Sequence, residues 1–155
     1  MALQLTFATE VDASCIADIH MAAFATNEML LAQFPTPSVR QALWTCIAKK
    51  AADDIRDPHT AVLLIKDKDL NGEIISFAKW NLPTSSPTNE APWIWPEGTR
   101  IDILHQWTEK VESAKDLVVK DISHYRTCLL HWSCGVRGYL QFHFVARLVY
   151  LIFTQ

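Results

Sequence analysis

The sequence predicts a mixed α/β chain of the α+β kind, with a mostly antiparallel sheet covered by helices. An Asn71-Gly72 pair joins two apolar segments, which is a strong short-range signal for an antiparallel hairpin. Ahead of it, the stretches around Ile16–Phe24 and Val39–Ile55 repeat apolar residues at helical spacing. The expected order is strand, helix, helix, strand, strand, loop, helix, strand. This interleaving points to one sheet layered with helices, and 155 residues suit a single domain.

Each element has its own signal. Leu3–Ala8 ("LQLTFA") alternates Leu3, Leu5 and Phe7 on one face, as a strand does. "TEVDAS" supplies turn chemistry, with Thr9 or Asp12 able to cap the helix that follows. In that helix Ile16, Ile19, Ala23 and Phe24 recur on one face, and His20 falls on the polar side. Thr36 as N-cap and Pro37 at the first position open a second helix. Its apolar stripe is Val39, Leu43, Ile47, Ala51 and Ile55, and Pro58 ends it.

"TAVLLIKD" is a continuous apolar run of the fully buried strand kind, and "EIISFAKWNL" is the returning strand. Val62–Lys66 and Ile74–Trp80 are therefore expected to pair antiparallel. Pro83–Pro96 holds four of the seven prolines, which forbid a regular ladder or helix interior. A long loop of this kind tends to be functional, and it is expected near the open edge or cleft of the sheet. Thr99–Asp121 reads as a helix with Ile103, Trp107, Val111 and Ala114 on one side and Glu109, Lys110 and Glu112 on the other. "RTCLLHWS" is the last strand. Beyond Gly138, "YLQFHFVARLVYLIF" fits strand alternation and helical spacing alike.

Composition excludes several classes. Half the residues are hydrophobic, enough for a sizeable core, and the formal net charge of -3 offers no basic footprint for nucleic acid. All 17 acids and all the lysines lie at or before Asp121, so residues 1–125 carry -6 and the remainder +3. Residues 1–126 and 127–155 are accordingly read as two parts of different character. The first is the main body, and the second is a divergent apolar segment that completes or caps the sheet. The longest apolar run, Val145–Phe153, is broken by Arg147 and is far short of the roughly 20 residues a membrane span needs. The start has neither a basic region nor a long apolar core, so no secretory signal is read there. Reduced thiols and a cytoplasmic location follow. The four cysteines form no CxxC pair, and no His, Asp or Glu set has metal-ligand spacing, so no metal is expected.

Several residues could carry chemistry. Gly135 and Gly138 could frame an anion-binding nest, although an ordinary turn accounts for them as well. Trp80, Trp93 and Trp95 flank the proline-rich loop and could line an apolar pocket for a small ligand, or simply pack the loop onto the sheet. His131 and Cys134 are three apart on or near a strand. They point to opposite faces and make a poor nucleophile pair. Tyr125 and Tyr139 are candidate general acids. No catalytic residue is assigned.

Together, "FATEVDASCIADIHMAAFATNEMLLAQFPTP", the hairpin "LNGEIISFAKWNLP" and "PWIWPEGT" resemble the fungal branch of the GNAT N-acetyltransferase superfamily, over about residues 5–126. The resemblance implies a mixed, splayed sheet with helices on both faces. It also implies transfer of an acetyl group from acetyl-CoA to a small-molecule or peptide amine. A neutral amine would attack the thioester directly while sheet backbone polarises the carbonyl. It places the connection after the first helix beside the acceptor, where Glu28 is either a carboxylate able to take an ammonium proton or a solvated helix residue, and Phe24 is a core residue that could also wall the pocket; Trp80 and Trp93, from their place around the loop, are the further candidate lining.

In the family, the last strand leads to a Q/R-x-x-G-x-G/A turn that opens a helix. Free N–H groups at that helix start hold the pyrophosphate. Here the same place reads "CGVRGYLQ". Val136, Arg137 and Gly138 align with the basic and glycine positions, but Leu140 stands where the second glycine belongs. The sheet is therefore expected to be incomplete at its C-terminal end. Two readings remain open: an acyl-CoA-dependent N-acyltransferase with an impaired cofactor turn, and a non-catalytic remnant that is inert or acts through a partner.

Overall fold

A computed structural model describes residues 2–82, 93–118 and 126–132 of the chain. It is an α+β structure: among the described residues, four antiparallel strands run in the order β1-β2-β3-β4, with helices packed on the sheet. The strands are β1 (Leu3–Phe7), β2 (Thr60–Asp67), β3 (Glu73–Asn81) and β4 (Arg126–Trp132). The helices are α1 (Ala13–Ala23), α2 (Glu28–Gln33), α3 (Pro37–Arg56) and α4 (Ile101–Val118).

Local chemistry accounts for the element boundaries. Thr9 and Asp12 close the entry turn: the Thr9 N–H and hydroxyl both donate to Asp12 Oδ2, at 2.8 and 2.7 Å. A short 3-10 turn, Glu10–Asp12, then leads into α1. Asn27 Oδ1 accepts from the Leu30 N–H at 3.1 Å and starts α2. Thr36 Oγ1 accepts from the Val39 N–H at 3.3 Å with Pro37 at the first position, so α3 begins where its cap dictates. At the other end of α3 the His59 N–H donates to Asp57 Oδ1 at 2.9 Å, and the Thr60 hydroxyl donates to Oδ2 at 3.0 Å. These bonds turn the chain into β2 and hold the Asp57 carboxyl below the usual carboxylate range, the His59 N–H contributing most.

β2 and β3 pair as the turn residues require, with Leu64 opposite Phe77. The connection is longer than a two-residue turn, because a 3-10 segment, Lys68–Leu70, precedes it. Asn71 and Gly72 then take φ of 54° and 77°, a left-handed step that asparagine and glycine tolerate. A bulge near Ile75 shifts the register between Ile65 and Lys66. The extra residue sets Ile75 on the face of Ile65 while Phe77, two residues on, faces the other way, where regular alternation would put both on one face. β4 pairs with β3 from Ser76 to Asn81, so the expected last strand is present, and Arg126, the end of the expected main body, is its first residue.

The core between sheet and helices joins Ile16 and Ile19 of α1, Ala51 of α3, Val62 and Leu64 of β2 and Phe77 of β3. The opposite face carries Ile65 and Ile75, with Leu3, Leu5 and Trp80 packed against them. Among the described residues the helices that pack on the sheet, α1 and α3, share the first face.

Two details differ from the sequence reading. Phe7 alternates with Leu3 and Leu5 but is 70% exposed, because β1 is an edge strand among the described residues and Phe7 lies at its end. In α4 the expected apolar side is largely open: Trp107 is 50% exposed and Val111 is exposed too. Leu104 is the residue that reaches the core. α4 is held at its N-terminal end, where the Arg100 N–H donates to the Gln33 carbonyl at 2.8 Å. Helical periodicity marks an apolar face without saying which neighbour covers it.

Candidate functional site

A second core cluster lies between α1, α2 and α3 and extends to the segment before α4. Ala17, Leu30, Phe34, Val39, Leu43 and Ile47 are its buried members. Phe24, Trp44, Trp93 and Trp95 pack against them, partly open to solvent. Trp93 and Trp95 stack at 4.9 Å with planes 9° apart, and Trp95 tilts onto Phe34 at 5.9 Å. These three rings run from the buried core toward the surface, an arrangement favourable for aromatic pairs. Trp44 Nε1 donates to Asp18 Oδ1 at 2.7 Å and ties α3 to α1.

The "WPEGT" residues anchor this edge. The Thr99 hydroxyl donates to the Pro96 carbonyl at 2.7 Å. Gly98 has φ of +84°, and a Cβ there would meet Val39 Cγ2 at 2.9 Å. Glycine is required twice over, for the backbone conformation and for the close approach to α3. Gly98→Ala is expected to lower stability by about 1–3 kcal/mol, from left-handed strain and displacement of Val39. Urea unfolding would read the loss, and an unchanged midpoint would contradict this packing.

The sequence-derived site residues divide among three locations. Phe24 and Trp93 share the aromatic cluster. Glu28 is the first residue of α2 and is exposed beside it in sequence. Trp80 packs with Ile65 and Ile75 on the other face of the sheet. Val136, Arg137 and Gly138 lie outside the described residues, as do Gly135, Cys134, Tyr125 and Tyr139. His131 is on β4, where the backbone pairs it with Phe77.

Burial pushes the Cys15 thiol above its usual value, and the carboxylates of Asp18, Asp12 and Glu73 push it the same way. A thiol kept neutral this way is a poor nucleophile. Among the described residues no group of three or more His, Cys, Asp or Glu is placed to hold a metal ion. No described helix is long and apolar enough to cross a membrane.

His20 is the residue the sequence reading misplaced. It is half-buried on α1 rather than fully solvated. Its Nδ1 is closed off from solvent, and its ring tilts onto Phe24 at 5.0 Å and 48°. The signal was available: His20 follows Ile16 and Ala17 by four and three residues, and both are buried.

No protein-family description and no curated protein sequence matches this chain. Solved structures do. The C-terminal condensation domain of Ebony, in complex with beta-alanyl-dopamine, superposes with a TM-score of 0.60 at 13% identity. The match covers 99% of this chain and 68% of that one. At this identity the likeness is one of fold: the chain has the fold of that condensation domain. A histone acetyltransferase HPA2 and related acetyltransferase from Corynebacterium glutamicum also matches, with a TM-score of 0.43 and 16% identity, over 90% of this chain and 100% of that chain.

Proposed function

We propose that this chain is an acyl-CoA-dependent N-acyltransferase of the GNAT type, moving an acetyl group from acetyl-CoA to a small-molecule or peptide amine. One observation carries the reading: nearly the whole chain shares the fold of a domain bound to beta-alanyl-dopamine, which is by its name an acylated amine. The sequence resemblance over residues 5–126 points to the same chemistry.

On this reading the aromatic cluster with Phe24 and Trp93 borders the acceptor, and Glu28 stands at its mouth. Trp80 lines the far side of the sheet. In sequence, Val136–Gly138 follow shortly after β4, which ends at Trp132. A turn there would offer backbone N–H groups and one guanidinium, which is chemistry for a phosphate. Acetyl-CoA would supply the activated acyl group. The chain's part is to hold it against β4, strip a proton from the acceptor ammonium and exclude water. Residues 1–126 would hold the acceptor side and 127–155 the cofactor side, in a protein that works in the cytoplasm.

The turn also favours a second reading. Tyr139, Leu140 and Phe142 are bulky where small residues would let the backbone approach a pyrophosphate. A single arginine adds little against salt. A non-catalytic remnant, inert or acting as an interaction module, has such a turn.

Calorimetry of the purified chain with acetyl-CoA separates the two. Weak binding, well above the micromolar range and lost in Gly138→Val, is the expected result. No heat at millimolar acetyl-CoA would leave the remnant reading standing.

A further inference from the structure

We infer that β1 is a docking edge for a second copy of this chain, the two β1 strands pairing antiparallel about a two-fold axis at Leu5. The inference stands apart from the transferase reading. β1 pairs with β2 on one side, and among the described residues no strand lies beyond it. The direction of its backbone groups is fixed at both ends. The Lys68 N–H donates to the Ala2 carbonyl, and the Ala8 N–H donates to the Val62 carbonyl, both at 2.9 Å. Backbone groups alternate sides along a strand, so Gln4 and Thr6 also face β2. Leu3, Leu5 and Phe7 then point their N–H and C=O groups outward.

Natural sheets blunt such an edge with a charge, a proline, a bulge or a cover. Leu3–Phe7 carries no charge and no proline, and its pairing with β2 has no register shift. A cover is what remains. Past residue 82, the stretches outside the described residues adjoin β3, α4 and β4, and β4 is the opposite edge of the sheet. A second copy fits because the strand is self-complementary. A two-fold axis at Leu5 sets Leu5 against its own counterpart and Phe7 against Leu3 of the second copy. The outward residues thereby meet as hydrogen-bonded pairs, apolar on apolar. Leu3 and Leu5 already pack with Ile65 and Ile75, so the exposed Phe7 of the second copy extends that apolar face. On the other face Thr6 meets Gln4 of the second copy. Thr6 Oγ1 is buried and has no hydrogen-bond partner among the described residues, and a glutamine amide across from it can donate. A slip of one residue would set Leu5 against Thr6 and lose both matches. The two-fold pairing uses up the edge, so association closes at two copies.

Sedimentation equilibrium of the full chain, from micromolar to submillimolar concentration, reads the association. The expected result is a reversible monomer–dimer equilibrium. Phe7→Lys should weaken it by about tenfold or more, because it sets a charge against Leu3 of the second copy. The same change should leave the unfolding of the dilute chain nearly unaltered, since the Phe7 side chain is already exposed. Leu5→Cys reads the register. Facing residues of a hydrogen-bonded antiparallel pair lie about 5.5 Å apart at Cα, within disulfide reach, so mild oxidation should join two copies through residue 5. Peptide mass mapping identifies the link. If Leu5→Cys does not fold, the wild-type chain and Phe7→Lys decide alone. A chain that stays monomeric at every concentration overturns the inference. So does a dimer that Phe7→Lys leaves equally tight, or one in which folded Leu5→Cys never links through residue 5.

Discussion

Asp54→Ala is expected to destabilise the fold by about 3–5 kcal/mol, the cost of removing one partner from a buried ion pair. Asp54 is 7% exposed on the last turns of α3, and Lys79 of β3 is 8% exposed. Lys79 Nζ lies 2.9 Å from Asp54 Oδ2. Lys50, one turn earlier on α3, bonds the other oxygen of the same carboxylate. One carboxylate therefore balances two ammonium groups at the seam between helix and sheet. Without it, both ammonium groups lose the carboxylate they share, and two like charges remain close together at the seam. Lys79→Met alone should cost less than Asp54→Ala, because Asp54 keeps Lys50. Urea unfolding of the two variants would show the order. A loss under about 1 kcal/mol for Asp54→Ala would mean that the pair is solvated rather than buried.

Leu64→Ala should cost about 2–5 kcal/mol, through lost burial and the cavity left behind. Leu64 is wholly buried at the centre of β2, opposite Phe77 and packed in the cluster with Ile16 and Ile19. Leu70→Ala is the control, since Leu70 is an exposed residue of the hairpin connection. Equal unfolding midpoints for the two variants would contradict a packed interface between α1, α3 and the sheet. The two losses, at Asp54 and at Leu64, should be close to additive only if the ion pair and the apolar cluster do not share partners.

These sites differ in how much of them could be read beforehand. Leu64 sits in "TAVLLIKD", whose unbroken apolar run reads as a buried strand. Asp54 shows nothing in sequence: it lies in the polar stretch "AADDIR", and its partner Lys79 is 25 residues away on another element. Buried charges are readable only once the strand that supplies the counter-charge is laid beside the helix. His20 is intermediate. Its spacing from Ile16 and Ala17 pointed inward, but its polarity argued for water, and packing overrode polarity. The aromatic cluster was partly legible, because Phe24 and Trp93 were both singled out. That Trp80 faces the other way depends on strand parity and on the bulge near Ile75.

By itself the sequence determined what nearest neighbours decide. Thr36 and Pro37 start α3, Thr9 and Asp12 cap the entry to α1, and Asn71-Gly72 turns the hairpin, because caps and left-handed turns are closed by atoms a few residues apart. Only the tertiary structure decided which apolar faces are covered. α4 displays an amphipathic pattern, yet Leu104 packs against the core while Trp107 is half-exposed. Only the tertiary structure, too, placed Asp54 against Lys79 and His20 against the aromatic cluster. Burial and ion pairing are set by what the fold brings across the sheet, and that distance along the chain carries no local signal.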